Sequence, residues 1–292
     1  MTQIGLQLHT LRDIEEPLPA ILHRVAEHGF EGVEFAHRIH DADTGAVAAA
    51  LAETGLEPIS AHVSMSELEG EIAPLLEQYD ALGCSHLVIP HISAMHFLTG
   101  KRIDTLARRL RELADRLDDH GFELVIHNSQ GMHRPVFGRY GTDQLVEADA
   151  VPTGGWVYLA QGLNHVFPGS WYDRTGFFHL ATALESAPIG FEIDVRHAVC
   201  SGQKPDRLFE EVGDRLFAVH VSDGARTRRL PPAYRPVPLG DGVVDVEESI
   251  RQAIYHEADW LIGEVDDHPN QQQVFQPMID AIEPTYEAAY QD

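Results

Sequence analysis

Lysine is nearly absent from this 292-residue chain. Lys101 and Lys204 are the only two, and arginine supplies the rest of its 21 basic residues. Against 46 acidic residues they leave a formal net charge of -25. Duplex binding needs a basic footprint that displaces counterions from phosphates. Nucleic acid and anionic membrane surfaces are therefore excluded as partners of the outer surface. An acidic, lysine-poor surface points to a halophile cytosol, where concentrated salt screens self-repulsion. Cysteine is scarce as well: Cys84 and Cys200 cannot build a disulfide framework, and a reduced cytoplasmic protein is expected. No run approaches the length of a membrane-crossing apolar helix. Residues 1–20 carry Arg12, Asp13, Glu15, Glu16 and two prolines, which is not the pattern of a signal peptide.

What the chain does have is alternation. Strand-like runs are expected at Ile4–His9, Gly32–Phe35, Pro58–His62, His86–Pro90, Phe122–His127, Ile189–Asp194, Leu216–His220 and Trp260–Glu264. Amphipathic runs separate them, and Gly29, Gly55, Gly83 and Gly121 stand where helices should stop. Ser66-Glu67-Leu68-Glu69 predicts a capping box that opens a helix to about Leu82. Eight strand–helix units in strict order predict an α/β fold, a closed (β/α)8 TIM barrel occupying residues 1–292 as one domain. The competing doubly wound sheet should show a glycine-rich turn after its first strand, and Leu8-His9-Thr10-Leu11 has none. The rhythm breaks once, after strand five. About 128–175 form a long insertion rich in Gly, Pro and aromatics, including Trp156, Tyr158, Phe167, Trp171 and Tyr172. Loops of that size commonly serve as lids, and aromatic faces bind sugar surfaces. Trp171 is taken as a substrate-wall residue; a contact that builds a homo-oligomer is the alternative.

Barrel active sites lie at the C-terminal ends of the strands. There the sequence places His9, His37, His62, His91, His127, Asp194, His220 and Glu264. Imidazole and carboxylate on converging strands hold divalent metals. Asp194, His220 and Glu264 end three neighbouring strands, and without a cation two of them would form an uncompensated anionic pair.

Several motifs, in order, resemble the xylose isomerase-like sugar phosphate isomerase/epimerase superfamily. They are Gly5-Leu6-Gln7-Leu8-His9, Glu31-Gly32-Val33-Glu34-Phe35-Ala36, Ser60-Ala61-His62-Val63, the Asp194-x-x-His197 element, His220 with Arg226 six residues on, the turn Pro238-Leu239-Gly240-Asp241-Gly242, and Leu261-Ile262-Gly263-Glu264. The likeness spans nearly the whole chain outside the insertion. It implies Asp194, His220 and Glu264 as ligands of a divalent ion, Mn2+ foremost, with Zn2+, Fe2+, Co2+ and Mg2+ open. It implies His197 and Arg226 as holders of substrate oxygens and His62 as a pocket residue.

One departure matters. The family commonly ends strand five with a glutamate ligand, and here Ile126-His127-Asn128 stands in its place, with no glutamate before Glu147. His127 or His133 is then expected as the fourth ligand. Glu264 is expected as one acid/base group, with His127, His133 or Glu34 as partner. Glu34 is read as a hydrogen-bonded barrel residue in preference to a catalytic one. The chemistry expected is proton transfer next to a sugar carbonyl through an enediolate, an isomerase or epimerase. A keto-sugar or inosose dehydratase or lyase needs only one base and is the first alternative. A non-catalytic carbohydrate-binding barrel is the second.

Overall fold

The computed structural model describes residues 1–134, 136, 172–227, 233–268 and 270–291. Eight parallel strands close into a barrel: β1 (Gln3–Gln7), β2 (Gly32–Phe35), β3 (Glu57–His62), β4 (His86–Ile89), β5 (Glu123–His127), β6 (Ile189–Asp194), β7 (Leu216–Val221) and, after a hairpin, β10 (Trp260–Gly263). Closure is made by β1, which pairs with β2 on one side and with β10 on the other, Gln3 opposite Trp260. The (β/α)8 expectation therefore holds, with strand limits within two residues of those read from the sequence. The insertion after β5 lies mostly outside the described residues.

Helices pack around the barrel for the reason their sequences suggest. In Gly100–Asp118, Ile103, Leu106, Ala107, Leu110, Leu113, Ala114 and Leu117 are buried, the spacing of a single apolar stripe. Thr99 caps its N-terminus by accepting from the Arg102 N–H. Gly55 ends the earlier Thr44–Thr54 helix at φ 74°, a left-handed turn that suits glycine.

Three local expectations are corrected. The capping box is Ser64 with Glu67, two residues earlier than read, and it opens only the short helix Met65–Leu68. A second helix, Ala73–Ala81, follows with Pro74 in its first turn, so the expected single helix is two. His9 is not at a strand end but in a 3-10 turn, Leu8–Leu11. The sequence also gave no sign of a small antiparallel hairpin, β8 (Asp223–Arg226) with β9 (Tyr234–Val237).

The barrel interior is layered. At the bottom Ile59, Ala218, Trp260 and Ile262 form an apolar plug. Gly32 is needed there, because a Cβ on it would sit 2.7 Å from Ile59 and 2.8 Å from Trp260. Above the plug the interior turns polar: Gln7, Glu34, Ser60, Glu192 and His220 are all fully buried.

The loop leading into the last βα unit hangs on Asp223. Its carboxylate accepts from the N–H groups of Gly224 (2.7 Å), Gly240 (3.1 Å), Gly242 (2.7 Å) and Val244 (3.0 Å). A side chain at Gly242 would overlap that carboxylate. Removing the acceptor with Asp223→Ala should cost about 3 kcal/mol, since four backbone donors, those of Gly224 and Val244 buried, lose a charged partner. Thermal unfolding should then shift down by roughly 5–10 °C. An unchanged melting temperature would show that the carboxylate does not hold this loop.

Candidate metal centre

The strand period of two decides which side chains reach the barrel axis. Along β6 it puts Glu192 and Asp194 on one face, with Phe191 and Ile193 on the other. Glu34 on β2, His62 at the end of β3 and His220 on β7 point into the same space. His62 Nε2 lies 2.7 Å from Glu34 Oε1 and 3.2 Å from Glu192 Oε2. His220 Nε2 lies 3.1 Å from Glu34 Oε2 and 3.2 Å from Glu192 Oε1. The other ring nitrogen of His220 faces upward, with Nδ1 3.0 Å from Glu264 Oε2. An ionised carboxylate only accepts, so the Nδ1 proton is the donor in that bond.

Charge explains the protonation of this group. Burial pushes the Glu34 carboxyl up, but His62 and His220 override it and hold it well below the usual carboxylate range. Burial likewise opposes a charged His62, yet Glu34 and Glu192 raise it to about 10. His220 is raised well above the ordinary histidine value against its own burial by Glu192, Glu34 and Glu264. Glu264, buried and close to Asp266, is pushed up to about 7.

Asp194 sits one layer higher and is already engaged. It caps the short helix Val195–Val199, with Oδ1 accepting from the His197 N–H (2.8 Å) and from Ser222 Oγ (2.9 Å). Arg196 lies 3.4 Å from its Oδ2 and pairs also with Asp266. Asn128 fixes the strand end: its Oδ1 accepts from the Asp194 N–H at 2.6 Å and its Nδ2 donates to the Asp194 carbonyl at 3.2 Å. His127, 5% exposed, has neither ring nitrogen hydrogen-bonded, and its Nε2 is 4.0 Å from Asp194 Oδ2. Burial, reinforced by His220, keeps its ring neutral.

Among the described residues, two groups of side chains offer donor atoms within 4.8 Å of one another: Glu34, His62, Glu192 and His220, and His127, Asp194 and His220. Both mix imidazole with carboxylate, both are buried, and one contains the orphaned His127 ring. This is donor chemistry that fits a divalent transition ion.

A cavity of about 350 Å³ opens above them, lined by His62, His127, His197, Arg196, Glu264 and Asp266 among others. Of the residues named from the sequence, His62, His127, His197 and Glu264 line this cavity, and Asp194 and His220 are fully buried beside them. His133 is buried beside Asn128, its Nε2 3.0 Å from Nδ2, and joins neither donor group. Arg226 is exposed on β8 and does not line the cavity; Arg196 lines it instead. Trp171 lies outside the described residues. Sequence reasoning missed Glu192 and Arg196 and set Glu34 aside. Alternation along β6, where Glu192 precedes Asp194 by two, was the available signal.

Residues 22–149 match the family model described as xylose isomerase-like TIM barrel. No curated protein matches the chain by sequence. Among solved structures, a sugar phosphate isomerase/epimerase from Parabacteroides distasonis is 15% identical with a TM-score of 0.69, over 97% of each chain. The probable 3-DHS dehydratase AsbF of Bacillus anthracis is 12% identical with a TM-score of 0.67, covering 97% of this chain and 99% of its own. The IOLI protein with a bound zinc atom is 12% identical with a TM-score of 0.65, covering 99% and 98%. These matches bear out the resemblance to the xylose isomerase-like superfamily, and at such identities what the solved structures share with the chain is the fold.

Burial pushes His133 down to about 3 from the ordinary 6.5. The unfolded chain takes this proton near 6.5 while the native ring refuses it, so acidification favours unfolding. Below 6.5 the native state should lose up to about 1.4 kcal/mol per pH unit from this one group. Urea unfolding at pH 7, 6 and 5 should show a shallower decline for His133→Gln than for wild type. Parallel declines would contradict the assignment.

Proposed function

From a xylose isomerase-like barrel whose mouth carries imidazoles, carboxylates and one arginine, we propose a divalent-metal-dependent isomerase or epimerase. It moves a proton next to the carbonyl of a sugar or sugar phosphate. The observation that carries this reading is Glu264, a buried carboxylate that faces the cavity while hydrogen-bonded to His220 of both donor groups.

His127, Asp194 and His220, whose donor atoms lie within 4.8 Å of one another, would hold the ion with Glu264 from the sequence reading; Mn2+, Zn2+, Fe2+ and Co2+ all suit such donors. A bound cation supplies the Lewis acidity that polarises a carbonyl and steadies the negative charge of an enediolate. The chain's own groups supply the rest. Glu264 takes and returns the proton at its free carboxylate oxygen. His127, neutral and without a hydrogen-bond partner, is the group available to exchange the second proton. His62 and His197 face the cavity and bind hydroxyls, and Arg196 presents a guanidinium suited to an anionic or hydroxyl oxygen.

One observation favours a second reading, a dehydratase or lyase on a keto sugar. β5 ends in His127 where a second carboxylate would be expected, Asp266 is paired with Arg196, and Glu67 is held in the Ser64 capping box. Glu264, bonded to His220 through one oxygen only, is then the carboxylate of the described lining left to act as base, and a single base suffices for β-elimination. The AsbF likeness is consistent with this reading.

Incubation with ketoses, aldoses and their phosphates in D2O should place solvent deuterium at the carbon beside the carbonyl. Glu264→Gln should slow that exchange by about a hundredfold or more. Loss of water with growth of an ultraviolet-absorbing enone would select the second reading. Full exchange in Glu264→Gln would contradict the acid/base assignment.

A further inference from the structure

One side chain joins the donor-bearing ends of β5 and β6. Asn128 follows His127 directly and is fully buried. Its own N–H donates to the Glu192 carbonyl at 3.2 Å, and the register of the two strands ends there, with His127 opposite Glu192. The main chain then turns away, the Met132 N–H donating to the Ser129 carbonyl at 2.9 Å. Asp194, two residues beyond Glu192, is paired instead by the Asn128 side chain. Oδ1 accepts from the Asp194 N–H at 2.6 Å, and Nδ2 donates to the Asp194 carbonyl at 3.2 Å. Paired residues of adjacent antiparallel strands hold each other by the same two-way exchange. Here a carboxamide stands where a peptide would.

The partners fix which way the amide faces. A backbone N–H only donates and a carbonyl only accepts, so the amide oxygen must meet the first and the nitrogen the second. The other Nδ2 hydrogen meets His133 Nε2 at 3.0 Å. That ring nitrogen is then the acceptor, which suits an imidazole kept neutral by burial. His133 is itself held from outside: its neighbours Met132 and Arg134 accept through their carbonyls from the N–H groups of Phe177 (2.7 Å) and Gly176 (3.0 Å). The position requires one acceptor and two donors, which is what a carboxamide offers. An ionised aspartate of the same size offers acceptors alone.

The consequence falls on the donors of the mouth. His127 is joined to Asn128 by a peptide bond and Asp194 by two hydrogen bonds. Asp194 Oδ1 is committed to the His197 N–H and to Ser222, and Oδ2 is the oxygen 4.0 Å from His127 Nε2. Metal sites tolerate only about 0.2 Å in their ligand distances, so the spacing of donors on separate strands has to be held by something. We infer that Asn128 is a positioning residue whose carboxamide, in place of a peptide, sets the spacing of His127 and Asp194 as a pair of metal donors. This rests on the metal-dependent reading above and gives a part in ion binding to a residue that does not touch the ion.

The full chain is titrated with Zn2+ against a chelating indicator, and Co2+ loading is followed by visible absorption, with circular dichroism confirming the fold of every variant. Asn128→Asp and Asn128→Ala should each weaken zinc binding about ten- to hundredfold and alter the cobalt bands. Asp43→Ala removes the side-chain cap of the Thr44–Thr54 helix, away from the cavity lining, and should lower stability while leaving both readouts unchanged. Asn128→Ser serves if the aspartate variant does not fold. Wild-type zinc affinity and an unchanged cobalt spectrum in a folded Asn128 variant would overturn the positioning role and leave the metal-dependent reading standing. An equal loss in Asp43→Ala would overturn it too, since the effect would then be one of stability. Failure of every Asn128 variant to fold would make the carboxamide a requirement of the fold and would likewise overturn it. Wild type that binds neither Zn2+, Co2+ nor Mn2+ would overturn both readings.

Discussion

Two glutamates, Glu34 and Glu192, lie wholly inside the barrel, where water does not compensate them. An ionised carboxylate in such a place is costly unless an opposite charge and hydrogen bonds accompany it. Everything else in the interior answers that requirement. His62 and His220 each face both carboxylates, which is why both rings are raised against their own burial.

The fold makes this arrangement reachable. Parallel strands with period two bring four side chains from opposite pairs of staves to one level, and the apolar plug around Trp260 closes the space beneath them. Above, Asp194 and Asn128 tie β5 to β6, so the His127 ring is held over the centre without being hydrogen-bonded. Glu264 links the two levels, because one oxygen bonds His220 and the residue also faces the cavity. On the function proposed here, that link sets Glu264 beside His220 for chemistry next to a carbonyl.

Much of this was legible from residues alone. Glycine stops, β-branched runs and helical stripes located all eight barrel strands, because each signal reflects a local steric or burial preference. The capping box was displaced because Ser64 and Ser66 both stand three residues before a glutamate, and only packing chooses between them. The β8–β9 hairpin was missed because Asp223–Arg226 and Tyr234–Val237 are four-residue strands interrupted by Gly224 and Pro236, with no apolar alternation to mark them. Among site residues, the strand-end histidines and carboxylates were evident from position. Glu192 was not, because a glutamate between Phe191 and Ile193 reads as an interruption of an apolar strand unless the alternation toward Asp194 is followed. Arg226 was favoured over Arg196 because the resemblance carried it, whereas the helix start at Asp194 directs Arg196 into the cavity.

The account is tested most directly by an anomalous difference map from crystals of the protein loaded with Co2+ or Zn2+. It predicts one strong peak within bonding distance of a ring nitrogen of His220, the residue common to both donor groups. Crystals with no peak beside His220, or with the ion elsewhere, would contradict it.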